Sequence, residues 1–312
     1  MIRFAYLPVH FFLCFDTAVY ADNSPVFVLR SVLGKQLRSM CCIARTNKCP
    51  ACLYNKTCAY ATIFETILGQ DNAVQPGRDR ASHPFAFTQN AAVGGEKFLK
   101  YDFTMTLFGN AVNYLPYIYA AFVRAGKEGL FKSRIPFAVS DVQVAGQSVL
   151  ADEGHIKTDV APLSWEFQDD GERKTASKRG SVLVELLSPL RFKVQGTYTV
   201  DFDAPSFMSC LFRRMKTLSL LYGSCPADIA YTGCGERIAV SDRDVAWRDA
   251  THYSARQKRA MALGGVQGKI RLEGEFSPFE RALLEFNHIC NAGKNTNFGL
   301  GQMDYWTKWE RS

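Results

Sequence analysis

Near the start of the chain Ala5, Leu7, Val9, Phe11, Leu13 and Phe15 place an apolar residue at every second position. That period suits a strand with one buried face, and it predicts a first strand over residues 2–15. The period changes at Ser24-Pro25, a capping residue followed by proline at the first helical position. Val26, Leu29, Leu33, Leu37 and Met40 then share one helical stripe. A short helix is expected over Tyr60–Leu68, and strands over Pro84–Gln89 and Lys97–Phe108 around the turn Val93-Gly94-Gly95-Glu96. Asn110 caps a helix with Val112, Leu115, Tyr119 and Phe122 inward, ending at Gly126, and Ile135–Val144 reads as the next strand. The order strand, helix, strand, strand, helix, strand is one ferredoxin-like unit.

Residues 152–180 are polar and irregular, with the charge-dense run GERKTASKRG, and read as a linker or a hairpin tip. The pattern then begins again. Val182–Val194 is a predicted strand, and Asp203-Ala204-Pro205 opens a helix with Phe207, Leu211, Met215, Leu218 and Tyr222 inward. After an irregular insert holding Cys225 and Cys234, strands are expected over Tyr253–Leu263 and Gly268–Phe276. Ser277-Pro278-Phe279-Glu280 is a capping box leading a helix with Leu283, Phe286 and Cys290 on one face, and Gln302–Trp309 is the last strand. Both final helices end in Ala-Gly-Lys, at Ala125-Gly126-Lys127 and Ala292-Gly293-Lys294. The fold class is therefore α+β: two tandem ferredoxin-like (βαββαβ, RRM-like) domains, 1–150 and 181–312, with a cysteine-rich insert at 41–58 in the first.

Composition narrows the partners. A chain of 312 residues with 47% hydrophobic content holds a substantial core, and its net charge of +7 favours a polyanionic partner. No apolar run approaches the ~20 residues that span a bilayer, so no membrane partner is expected. Met1–Ala21 could pass as a signal peptide, but Pro8 and His10 interrupt its apolar stretch and the period-two pattern favours an intact strand in a cytoplasmic protein. Five of the ten cysteines fall in Cys41-Cys42-x6-Cys49-x2-Cys52-x5-Cys58. Such crowding reads as metal binding in a reducing compartment, with Cys42, Cys49, Cys52 and Cys58 as a tetrahedral thiolate set for structural zinc. An iron–sulfur cluster fits less well, and free cysteines packed as small hydrophobes are the bland alternative.

Asn291-Ala-Gly-Lys-Asn-Thr-Asn-Phe-Gly-Leu-Gly301 joins glycines to one lysine directly after a helix. Bare N–H groups in such a loop can cradle an anion and Lys294 suits phosphate, although glycine also simply ends helices. His252, Tyr253, Arg256, Lys258 and Arg259 form the densest basic–aromatic group on a predicted strand, and Arg213, Arg214 and Lys216 form another on a helix. Both suit RNA phosphates and bases, or are solvated faces.

Five stretches in order resemble the CRISPR-associated endoribonucleases of the RAMP superfamily that process precursor crRNA. They are Cys58-Ala-Tyr60 with Phe64-Glu65; His83-Pro84-Phe85; Leu186-Leu-Ser-Pro-Leu-Arg191 with Arg213-Arg214; Trp247 to Gly265; and Gly293-Lys294 to Phe298-Gly-Leu-Gly301. The resemblance implies a protein that binds CRISPR repeat hairpins, alone or beside other effector subunits. It also implies cutting without a catalytic cofactor, the 2′-hydroxyl attacking the adjacent phosphate to leave a 2′,3′-cyclic phosphate. In that setting His288, in the last turn of its helix, is the first candidate for general acid, Lys294 for stabilising the phosphorane, and His252 the next catalytic candidate. Arg213, Arg214, Tyr253, Arg256, Lys258, Gly293, Asn295, Gly299 and Gly301 are the candidate RNA contacts. The chain departs from the family at Asn291, where members often carry histidine, and at Phe131, which replaces a glycine. A catalytically silent RNA-binding subunit is thus the second reading, and a metal-stabilised protein-binding scaffold the third.

Overall fold

The computed structural model describes residues 1–21, 24–45, 49–69, 72–75, 77–89, 97–131, 133–151, 154–168, 177–231, 233–249, 251–254 and 259–310, without the side chains of 251–254 and 259–261. The chain divides into two compact units, residues 5–164, and residues 1–4 with 165–312.

In the first unit β1 (Ile2–Tyr20), α1 (Pro25–Cys41), β2 (Phe85–Gln89), β3 (Lys97–Phe108), α2 (Leu115–Glu128), β4 (Phe137–Val144) and β5 (Gln147–Ser148) follow in order. The antiparallel sheet runs β2-β3-β1-β4-β5, so the ferredoxin-like arrangement is present. Leu7, Val9, Phe11, Leu13 and Phe15 of β1 are buried in one core with Leu29, Leu33 and Leu37 of α1, whereas Ala5 is half-buried. Phe11 stacks on Phe103 at 5.2 Å and meets Phe122 of α2 edge-on at 5.1 Å. Three local readings change. Ser24 precedes α1 without capping it, because its hydroxyl donates to Gln89 Oε1 at 2.5 Å. The helix expected over Tyr60–Leu68 is a single π-helical turn, Ala61–Glu65, closed by Thr66 at φ 42°. The helix expected from Asn110 opens as a 3₁₀ turn, Gly109–Tyr114, and becomes α-helical where Pro116 occupies its first turn.

The second unit holds β7 (Lys178–Leu190), α3 (Ala204–Tyr222), β8 (Ile238–Arg248), β9 (Thr251–Ser254), β10 (Arg259–Ala262), β11 (Gly265–Phe276), α4 (Pro278–Cys290) and β12 (Met303–Trp309). A further strand, β6 (Leu163–Phe167), lies within the stretch expected to be irregular. The sheet order β12-β7-β11-β8 repeats the arrangement of the first unit. Asp203 caps α3 through Ser206 N–H, and the Ser277–Glu280 capping box opens α4. Phe4 and Trp165 each pack on Phe286 of α4 with centroids 4.9 Å apart.

The stretch Tyr253–Leu263 is not one sheet strand. Its described residues belong to two short strands, β9 and β10, which pair with each other, Tyr253 with Ala260, while His252 pairs with Met261. The second strand of the motif is instead β8, which the apolar pattern misses because Asp242, Arg243 and Asp244 run through it. An edge strand solvated on one side tolerates such charges. No helix among the described residues is long and apolar enough to cross a membrane.

Candidate nucleic-acid interface

The glycine-rich loop follows α4 and returns to β12, and the end of β7 holds it from one side. Lys294 N–H donates to Arg191 O at 3.0 Å, and Gly301 N–H to Pro189 O at 3.1 Å. Ala292 N–H closes the loop on Gly301 O at 2.7 Å. Gly301 sits at φ 71°, and a Cβ there would collide with the Ala292 carbonyl, so only glycine fits this closure.

From α3 comes the other support. Arg214 is 7% exposed. Its Nε donates to Asn291 O at 3.1 Å, and Nη2 to Cys290 O at 2.9 Å and Thr296 Oγ1 at 2.6 Å. Two of these acceptors are carbonyls at the end of α4, where intrahelical partners run out. Burial pushes the guanidinium down to about 10, and the neighbouring Cys210 thiol, fully enclosed, is pushed up to about 12 by the same cause.

This geometry corrects part of the expected RNA surface. Arg214 is not a solvated partner of Arg213; one helical position turns Arg213 outward and Arg214 into the core. The expected row of bare N–H groups is largely committed, since Ala292, Lys294, Phe298, Gly299 and Gly301 all donate to main-chain carbonyls. A buried loop must satisfy its own backbone. Gly299 and Gly301 are buried, whereas Gly293 and Asn295 are half-buried and the Lys294 side chain is exposed. Among the described residues neither Lys294 nor Arg213 has an ion-pair partner.

His288 turns its ring onto β12: Nδ1 donates to Met303 O at 3.1 Å, lies 3.5 Å from Asp304 Oδ1, and the ring meets Tyr305 edge-on at 6.0 Å. The readings for Arg256 and Lys258, and for the side chains of His252 and Tyr253, fall outside the described residues.

Sequence reasoning passed over one cluster. β7 stops at Leu190, so Arg191 to Tyr198 is a tight hairpin turn rather than strand; Val194 and Thr197 exchange two 2.9 Å bonds around Gln195 and Gly196, both at positive φ. The turn sets the Arg191 guanidinium carbon 4.1 Å and Lys193 Nζ 5.1 Å from the Tyr198 ring centroid. Alternating basic residues followed by tyrosine were the available signal.

In the first unit Cys41, Cys42, Cys49, Cys52 and Cys58 line one pocket with Tyr54 and Tyr60. All five thiols are half-buried and none is in a disulfide. Burial, followed by the neighbouring Cys58, raises the Cys41 thiol; burial, followed by Glu65, raises Cys49. The donor set suits a soft ion. As placed, though, no group of three or more His, Cys, Asp or Glu among the described residues is arranged to hold one.

Residues 4–161 match the N-terminal-domain model AF_1859_N, and residues 184–303 match the family model of CRISPR-associated endoribonuclease Cas6. Over residues 184–303 the chain is similar to the Cas6 endoribonucleases. No curated protein matches it. Among solved structures, a Cas6 product complex is 13% identical with a TM-score of 0.52, covering 97% of this chain and 99% of that one. A Thermus thermophilus Cas6 is 15% identical at 0.51, covering 97% and 99%. A partial Cas6-RT-Cas1–Cas2 complex is 12% identical at 0.51, covering 98% of this chain and 46% of that one. At these identities the likeness shows the fold that this chain shares with them.

Proposed function

We propose that this chain binds the hairpin of CRISPR repeat RNA in the cytoplasm and cuts it, without a catalytic metal, to give mature guide RNAs. The observation that carries the reading is Lys294, exposed on the rim of a loop framed by Arg191, Pro189 and buried Arg214, within the stretch 184–303 that matches an endoribonuclease family. The RNA 2′-hydroxyl gives its proton to solvent and bonds to the adjacent phosphorus, the phosphorane charge is met by Lys294, and the P–O5′ bond breaks as the 5′-oxygen takes up a proton, leaving the 2′,3′-cyclic phosphate. His288 supplies that proton from Nε2, its Nδ1 being engaged with Met303 O. Other CRISPR proteins are further partners, as in the Cas6-RT-Cas1–Cas2 assembly. A structural zinc on Cys42, Cys49, Cys52 and Cys58 belongs to the same reading, supported by the pocket those residues line with Cys41.

A second reading, a silent subunit that binds RNA without cutting, draws on Asn291. This residue is buried and its Nδ2 donates to Leu300 O at 3.3 Å, so the position where family members often carry histidine is closed over. Incubating the protein with a repeat hairpin in EDTA separates the readings: cleavage, binding without cleavage, or neither, the last leaving a protein-binding scaffold. A single 2′-deoxy at the cut should bind and resist; its efficient cleavage rules out the mechanism.

A further inference from the structure

Beside the glycine loop lies a second cationic group. The Arg191 carbonyl receives Lys294 N–H at 3.0 Å, so the hairpin turn of Arg191 and the lysine-bearing loop are stitched together. The Arg191 side chain is held in place twice, by Nη1 donating to Gly264 O at 2.6 Å and by the Tyr198 ring beneath its guanidinium. Lys193 shares that ring, and the half-buried Trp247 indole lies 6.1 Å from it, its Nε1 donating to Asp249 at 2.8 Å. Among the described residues neither Arg191 nor Lys193 has a carboxylate at ion-pair distance. An anchored guanidinium, an exposed ammonium beside the same ring and two half-buried aromatic rings are what a single nucleotide requires: charge for its phosphate and a π-surface for its base.

We propose that Arg191, Lys193, Tyr198 and Trp247 form a second RNA subsite, which takes one unpaired nucleotide flanking the hairpin. It rests on the proposed function, since the hairpin is what brings RNA to the adjoining loop. The phosphate lies between Arg191 and Lys193, and the base rests on Trp247. Stem recognition and flank recognition are thereby separate contributions of one surface.

Binding of a repeat hairpin with and without an unpaired flank tests this, using the full chain and its Lys193→Gln, Trp247→Leu and Lys294→Ala variants. The unaltered protein should prefer the flanked hairpin. Trp247→Leu should lose roughly 5- to 150-fold on the flanked RNA and leave the blunt hairpin unchanged. Lys193→Gln, at an exposed position, should flatten the salt dependence of the flanked RNA by a slope of about 0.7. Wild-type affinity of both Lys193→Gln and Trp247→Leu for flanked RNA, with Lys294→Ala weakened, overturns the subsite and leaves the proposed function standing. No binding of either RNA by the unaltered protein overturns both.

Discussion

The guanidinium of Arg214 reaches from α3 to the main-chain carbonyl of Asn291, its Nε 3.1 Å from the oxygen, and so fastens the start of the glycine-rich loop to a helix 77 positions away in sequence. A loop that must present Lys294 in a constant place needs such a fastening, because glycine and asparagine leave its own backbone free to adopt many conformations.

Arg214→Ala should therefore lower stability rather than only RNA affinity. Three acceptors, two of them carbonyls at a helix end, lose a charged donor in a buried setting. The expected cost is roughly 3–5 kcal/mol, a fall in Tm of roughly 10 °C. Arg214→Lys should recover little, since one ammonium cannot reproduce the fork. Thermal unfolding checks this, and an unchanged Tm removes the fastening role.

Gly301→Ala should destabilise the same loop by another route. The position combines φ 71° with a Cβ path blocked by the Ala292 carbonyl. A cost of at least about 1–3 kcal/mol is expected in denaturant unfolding, against a few tenths for an exposed control such as Gly69→Ala, where a Cβ meets nothing.

Lys294→Ala and Arg256→Ala should each weaken hairpin binding and reduce its salt slope by about one contact's worth, near 0.7–0.9. Titrations at several salt concentrations give the slopes. Wild-type affinity that does not change between low and moderate salt contradicts phosphate-dominated binding.

His288→Ala should slow single-turnover cleavage by about 10²–10⁴-fold with hairpin affinity nearly intact. His252→Ala should instead act mainly on binding. Normal cleavage by His288→Ala places the acid elsewhere, with His252 next to be tested.

Cys49→Ser or Cys52→Ser should damage folding more than chemistry, because a structural zinc site contributes on the order of 10–16 kcal/mol of apparent binding energy. Elemental analysis of protein purified under reducing conditions, without chelator, is the check. Neither zinc nor iron in that preparation removes the metal from the account.

Short-range pattern determined much of this protein. The alternation of Leu7 to Phe15, the Asp203 cap, the Ser277–Glu280 box and the placement of the glycine loop after α4 all follow from interactions between residues a few positions apart. The recurrence of helices after strands in both halves is legible in the same way. Tertiary structure alone decided the rest. Arg213 and Arg214 are adjacent and chemically identical, and only the packing of α3 against the loop sends one to solvent and the other into the core. β8 is a sheet strand only because β11 provides its hydrogen bonds, despite charges that hide it from a period-two search. Arg191 meets Tyr198 because β7 ends early and the chain doubles back. Spacing along a sequence limits which groups can share an element, but burial and partnership are set by residues distant in the chain, and those determine whether an arginine supports a loop or faces solvent.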